Sequence, residues 1–272
     1  KAKSDIPVLY KQNVANDLFQ LIYVFDMGNN HDKALGTAFD YLEYLGTSDM
    51  TPEELKSEFY RLACTFYVSP GNERTYVVLS GLNENMPAAV QLFEKLLADA
   101  QVNKEAYTNM TSDILKARSD AKLNQGQNFS RLMSFAMYGP KSPATNLLTE
   151  AELTNMNPQE LVDRIHNQNS YKHRILYYGP SSSKDLLATI NQYHQVPATL
   201  KDIPAGNEYA YLETPVTKVL VAPYDAKQIY MAQISNLDKK YDPAIEPIRA
   251  LYDEYFGGGM NSIVFQEMRE TR

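Results

Sequence analysis

The spacing of apolar residues divides the chain into alternating strand-like and helix-like segments. Short runs rich in aromatic and β-branched residues, bounded by turn residues, predict strands. Apolar positions that recur every three or four residues predict helices. The Ser-Pro-Gly-Asn sequence at 69–72 separates two strand-like runs and indicates a hairpin. Strands are expected at 7–11, 17–27, 63–69, 73–81 and 171–178.

Helical periods fill the stretches between these strands. The clearest helix start has Thr51 as N-cap, Pro52 as the first helical residue and Glu54 where it completes a capping box. Gly46 is expected to end the helix before it. Helices are expected over 35–45, 52–62, 84–100, 104–123, 126–138, 158–168 and 182–194.

The pattern restarts after residues 195–207, which carry two prolines and a glycine and indicate a linker. The last helix has an apolar face that needs a covering partner. We therefore predict a complete domain over 1–196 and, over 197–272, a linker and the truncated start of a second, similar domain. Each is expected to be α+β, with a mixed, mostly antiparallel sheet covered by helices on one side. Beyond the linker, strands are expected near 208–213, 216–223 and 227–234, and helices near 243–256 and 260–271.

Composition and charge narrow the classes of function. The 272 residues are 44% apolar and 22% charged, as in ordinary globular proteins. The net charge of −7 disfavours nucleic-acid binding, because that affinity comes from Lys and Arg neutralising phosphates. No apolar run approaches the roughly 20 residues that cross a bilayer. The single Cys64 excludes an internal disulfide and is expected in the core. The compartment stays open between a bacterial cell envelope or periplasm and a cytoplasm.

The stretch DYLEYLGT at 40–47 carries the most specific chemical signal. Residues four apart share one helix face, and Asp40 and Tyr44 have this spacing, with Glu43 beside Tyr44. With the order of elements, this stretch resembles the insulinase (pitrilysin) family of zinc metallopeptidases, which includes the mitochondrial processing peptidases. The mark of that family is an inverted zinc motif, H-x-x-E-H. In this resemblance Asp40 and Tyr44 stand at the two histidine positions, and Glu43 stands at the position of the general base.

The resemblance extends along nearly the whole chain. The segments YGPKSPATNLLTEAELTNMNPQELVDRIHN, YKHRILYYGP and YFGGGMNSIVFQEMRETR are similar to later helices, a closing strand and a Gly-rich element of the family. The third zinc ligand of the family, a Glu, would fall on the helix over 104–123. The register places Ala117 there, with Asp113 one turn earlier as the alternative.

This pattern lacks the ligands that zinc requires. A catalytic zinc takes three protein ligands from His, Cys or carboxylate. The four histidines (His31, His166, His173 and His194) form no pair four residues apart. We therefore expect no catalytic residue and no metal in this chain, with Tyr44 filling the space of the metal and facing the 104–123 helix. A hard cation such as calcium at Asp40, Glu43 and Asp113 is a minor alternative.

The resemblance implies the non-catalytic half of a two-half peptidase. In the family, two similar halves close around a peptide. The chain would then carry no cofactor, would dock on a catalytic zinc-peptidase half in the same or a neighbouring chain, and would help to shape the chamber for a peptide substrate. Two alternatives remain: a purely structural assembly subunit of the same family, and a hydrolase with an atypical site.

Overall fold

The computed structural model describes residues 1–225, 228–236 and 241–270. Its five strands are β1 (Val8–Gln12), β2 (Leu18–Phe25), β3 (Cys64–Pro70), β4 (Thr75–Leu82) and β5 (His173–Gly179). Its helices are α1 (Leu35–Leu42), α2 (Pro52–Arg61), α3 (Met86–Asp99), α4 (Lys104–Ala121), α5 (Gln125–Tyr138), α6 (Glu150–Asn155), α7 (Gln159–Asn167), α8 (Ser183–Tyr193), α9 (Glu246–Asp253) and α10 (Ile263–Phe265). Among these described helices, none is long and apolar enough to cross a membrane.

The strands form one mixed sheet in the order β1-β5-β2-β4-β3. The pair β1–β5 is parallel, and the other three pairs are antiparallel. The predicted α+β class with a mostly antiparallel sheet is therefore confirmed. The five strands expected from the sequence all form, because their apolar runs alternate between the two faces of the pleat.

Only one face of the sheet lies in the main core. In β5, His173, Ile175 and Tyr177 are buried, and the residues between them are more exposed. The inner-face residues share one apolar cluster with helices α1, α3, α7 and α8. Val24 and Val78 point to the other face and are buried outside that cluster. The sheet is thus covered by helices on one side, as predicted.

Local signals placed the helix ends well. Thr51 Oγ1 accepts from the backbone N–H of Glu54 at 3.2 Å, and Glu54 Oε2 accepts from the N–H of Thr51 at 2.8 Å. The predicted capping box is therefore confirmed. An equivalent box between Thr149 and Glu152 starts α6, a helix that the sequence analysis did not predict. The Thr-x-x-Glu spacing was the signal that could have found it.

Two compact units divide the chain. The first comprises Lys1–Ala210 and Leu220–Ala232, and the second comprises Tyr211–Val219 and Gln233–Arg272. In the first unit, the residues expected as a linker make backbone hydrogen bonds: the Lys201 N–H donates to Ser170 O at 2.8 Å, and the Asn207 N–H donates to Asn30 O at 2.7 Å. The domain boundary at 197 stays a prediction.

The strands expected near 208–213, 216–223 and 227–234 do not form in the described residues. Residues 202–225 and 228–236 contain no strand, although their sequence alternates in the way strands do. Several of their apolar side chains are exposed, including Val219 and Ile229. A strand needs a hydrogen-bonded neighbour and a packed face, and an apolar alternation supplies neither by itself. Within the second unit, Thr214 and Asn236 hydrogen-bond each other, and the helices α9 and α10 form in the region where helices were expected.

Candidate functional site

The residues of the degenerate motif lie at the end of α1 and point away from the core. Asp40 is on the last turn, Glu43 caps the helix, and Tyr44 follows it. All three side chains are exposed, Tyr44 by 46%. Local desolvation and the neighbouring Glu43 carboxylate raise the pKa of Asp40. The chain also tightens here, because the Tyr44 N–H donates to Tyr41 O at 3.0 Å, three residues back.

The expectation that Tyr44 fills a buried metal space is wrong, and Tyr41 is the buried tyrosine. Its side chain is fully buried between α1 and α4. Its hydroxyl donates to Asn103 O at 2.6 Å and accepts from the Asn103 N–H at 2.9 Å. Its ring packs edge-on against Tyr107, with 5.7 Å between centroids. Burial raises the pKa of Tyr41, which the Asn103 hydrogen bond only partly offsets.

The helical period explains why Tyr41 is buried and Tyr44 is exposed. Leu35, Ala38, Tyr41, Leu42 and Leu45 recur every three or four residues and are all buried. The motif residues occupy the opposite face of the same helix. The apolar period was therefore the signal that could have identified Tyr41.

The two positions considered for a third ligand lie on α4, and both are exposed. Asp113 and Ala117 are in its solvent-facing part, whereas Tyr107, Met110 and Thr111 are buried nearer its start. Within the part of the chain that the structure describes, no group of three His, Cys, Asp or Glu residues is placed to hold a metal ion. That the chain binds neither zinc nor calcium stays a prediction.

A buried polar cluster, which the sequence analysis missed, lies under the inner face of the sheet. Glu94 of α3 and His194 at the end of α8 are 1% and 0% exposed, and His173 of β5 is 7% exposed. The Nδ1 atom of His194 lies 2.6 Å from Glu94 Oε1, and its Nε2 lies 2.9 Å from His173 Nε2. The His173 Nδ1 lies 2.7 Å from Tyr171 O. No sequence spacing predicts this cluster, because a hundred residues separate Glu94 from His194.

The surroundings of the cluster are aromatic and buried. The Tyr23 ring lies 4.5 Å from the His194 ring, and the Phe25 ring lies 4.6 Å from the His173 ring. Burial, followed by the Glu94 charge and a hydrogen bond to it, raises the pKa of Tyr23 well above its usual value. Burial and the neighbouring His194 lower the pKa of His173 to about 4.

The remaining candidates have ordinary structural roles. His31 Nδ1 accepts from the Gly28 N–H at 3.1 Å, and His166 Nε2 lies 3.1 Å from Ala100 O. Cys64 is buried in the core as expected, and burial raises the pKa of its thiol.

The outer face of the sheet carries an apolar row that is exposed at the two edge strands and buried at Val78. The strand registers align one apolar residue from each of the five strands in a row. A shallow groove crosses the part of this face formed by β1, β5 and β2. At one end of the face, Asp26 bridges Arg74 and Arg174 at 2.7 and 2.6 Å. The row consists of Leu9, Leu176, Ile22, Val78 and Tyr67.

Comparison with solved structures identifies the architecture. The inactive domain of a peptidase M16 from Pseudomonas fluorescens matches with a TM-score of 0.69 and 16% identity, over 100% of this chain and 67% of that one. The chain has the fold of an M16 peptidase domain. The periplasmic protease PqqL from Escherichia coli matches with a TM-score of 0.64 and 16% identity, over 75% of this chain and 23% of its own. The ferredoxin protease FusC, in complex with Arabidopsis ferredoxin, matches with a TM-score of 0.60 and 14% identity, over 73% of this chain and 22% of its own.

These similarities confirm the fold expected from the insulinase (pitrilysin) resemblance. At the level of sequence, no family model and no curated protein matches the chain. The chain spans less than a quarter of the length of the two proteases. What the M16-like fold does in this protein is therefore inferred from its own residues.

Proposed function

We propose that this chain is the non-catalytic half of an insulinase-family zinc metallopeptidase, which shapes the peptide-binding chamber and docks on the zinc-bearing catalytic half. The observation that carries the proposal is the M16-like fold, taken with the resemblance in which Asp40 and Tyr44 would stand at the two histidine positions of the zinc motif. The chain itself would carry no cofactor, and the zinc would belong to the partner half.

The chemistry of the motif residues supports a non-catalytic role. A general base in a zinc peptidase takes a proton from the metal-bound water. Tyr44 is a poor zinc ligand, and Ala117 cannot be a ligand at all. Without these ligands Glu43, which is exposed next to Tyr44 in the chain, would have no metal-bound water to activate. This carboxylate is thus a solvated helix-end residue.

The open sheet face supports the role in the chamber. Apolar side chains exposed on a sheet surface are typical of an interaction site. Leu9 and Tyr67 at the two edge strands are 53% and 51% exposed. Extended peptides place alternate side chains on such a surface. We assign this face to the wall that contacts the peptide substrate.

Exposed apolar side chains in the second unit are evidence for a second peptidase-like domain. In α9 and the residues after it, Ile248, Leu251, Tyr252 and Tyr255 are exposed at helical spacing. The Pseudomonas fluorescens domain that aligns with this whole chain is half as long again. We infer that the region from 197 onward begins a second peptidase-like domain, whose remaining residues would cover these side chains.

The test combines metal analysis with reconstitution. After dialysis, the purified chain should hold no stoichiometric zinc and should not hydrolyse peptides. Added to the zinc-bearing half that is encoded with it, the chain should bind that half and raise peptide turnover. Glu43→Gln should leave the reconstituted turnover unchanged, whereas an atypical hydrolase that used Glu43 would lose activity. One tightly held zinc per chain together with hydrolysis by the chain alone would overturn the proposal.

Surface variants test the chamber face separately. Leu9→Glu and Tyr67→Glu place charges on the open face, and Tyr60→Glu places one on the exposed side of α2, where Tyr60 is 88% exposed. The first two should raise the KM of the reconstituted enzyme several-fold, and the third should not. Normal binding of the partner half without any effect on turnover would favour the structural assembly subunit instead.

A further inference from the structure

The hydrogen bonds of the buried cluster determine where its protons lie. Tyr171 offers only a carbonyl oxygen to His173 Nδ1, so this nitrogen carries a hydrogen. In the neutral ring, His173 Nε2 is then an acceptor, and His194 Nε2 must donate to it. This leaves His194 Nδ1 facing Glu94 Oε1 with one proton between them.

Glu94 also accepts hydrogen bonds at its second oxygen. Its Oε2 accepts from Asn169 Nδ2 at 3.1 Å and from the Gln195 N–H at 3.0 Å. With His173 neutral, one proton lies in the contact between the two Nε2 atoms and one in the contact between His194 Nδ1 and Glu94. The three side chains then carry no net charge as a group.

An additional proton has one acceptor within this arrangement, the lone pair of His173 Nε2. Protonation there would turn the acceptor into a donor that points at the His194 donor 2.9 Å away. Two N–H groups would then face each other in a buried site that has gained a positive charge, and unpaired charge is costly there. The other groups against His173 are the rings of Tyr23 and Phe25. The hydrogen bond would break, and the cluster would open.

The cluster holds the start of the segment that follows α8. The Gln195 N–H donates to Glu94, and Gln195 directly follows His194 of the cluster. The segment 195–201 then returns to the sheet, where Lys201 bonds through its own backbone to Ser170 and Lys172 at 2.8 and 2.9 Å. Opening the cluster would remove the anchor at the beginning of this segment.

We propose that Glu94, His194 and His173 form an acid-sensitive latch, which holds the segment 195–201 on the first unit at neutral pH and releases it when His173 takes up a proton from solvent. His173 has a pKa of about 4 in the closed form, against an ordinary value of 6.5. The latch is therefore fully closed above about pH 6.5 and weakens as the pH falls towards 4. Because one proton is linked to opening, the opening constant should rise about tenfold per pH unit, and about 300-fold over the whole window.

Hydrogen exchange of the full chain between pH 7.5 and 4, with labelling times scaled for the intrinsic exchange rate, tests the latch. Peptides covering 190–203 should lose protection by about tenfold per pH unit below pH 6.5, while β4 keeps its protection. His173→Gln retains an acceptor for His194 Nε2 but does not titrate, so its protection at 190–203 should be independent of pH. His166→Gln, which removes a histidine outside the cluster, should behave like the unaltered chain.

Three results would overturn the latch: equal loss of protection in β4, no selective loss at 190–203, or an unchanged pH dependence in His173→Gln. If His173→Gln does not fold, nitrogen-15 NMR of the imidazoles in the unaltered chain tests the latch instead. The latch requires His194 Nε2 to carry a hydrogen and His173 to stay an Nδ1–H tautomer down to about pH 5. Titration of His173 near pH 6.5 contradicts it.

Discussion

Replacing Tyr41 by Phe tests the contact between α1 and α4 at the motif helix. The Tyr41 side chain is fully buried, and its hydroxyl makes hydrogen bonds of 2.6 and 2.9 Å to the backbone of Asn103. Each such bond has a net worth of about 0.5–1.5 kcal/mol. Tyr41→Phe should therefore lower the free energy of unfolding by about 1–3 kcal/mol, because both bonds are lost while the ring and its packing on Tyr107 remain.

Tyr44→Phe is the matched control, since it removes the same atom three residues away from an exposed side chain. Its free energy of unfolding should stay within about 0.5 kcal/mol of the unaltered chain. Urea denaturation followed by circular dichroism measures both variants, and equal m-values show that the same surface is exposed on unfolding. If Tyr44→Phe cost as much as Tyr41→Phe or more, the assignment of Tyr41 to the helix interface would be refuted.

Three further changes test other parts of the structure. Thr51→Ala removes the N-cap of α2 and should lower the free energy of unfolding by about 1 kcal/mol. Thr108→Ala, in the exposed part of α4, is the control and should cost clearly less. Equal losses in urea denaturation would contradict the capping role. Glu94→Gln removes the buried carboxyl group that lies 2.6 Å from His194 Nδ1 and should cost about 3–5 kcal/mol, against little for the exposed Glu105→Gln. A thermal melt that does not separate the two variants would argue against this buried interaction. Brief proteolysis of the native chain at pH 7.5 should cut first within 208–225, which is largely exposed and contains no strand. First cuts inside β2 or α3, located by mass spectrometry, would contradict this expectation.

Much of the first unit could be predicted from the sequence, because its signals are local. The capping box of α2 needs only four consecutive residues, and the turn at 69–72 joins two strands that are neighbours in the chain. The resemblance of residues 40–47 to the zinc motif, with Asp40 and Tyr44 at the two histidine positions, likewise comes from the sequence alone. The proposal of a non-catalytic role starts from this resemblance.

Tertiary structure decided which side chains meet. The face of α1 that packs on α4 buries Tyr41 and exposes Tyr44, and the motif spacing by itself favoured the wrong tyrosine. Glu94, His173 and His194 come together only because α3 and the end of α8 converge beneath β5, over sequence separations that no periodicity spans. The alternation after residue 207 failed as a strand signal for the same reason, since a strand forms only where a neighbouring strand and a packed face are supplied.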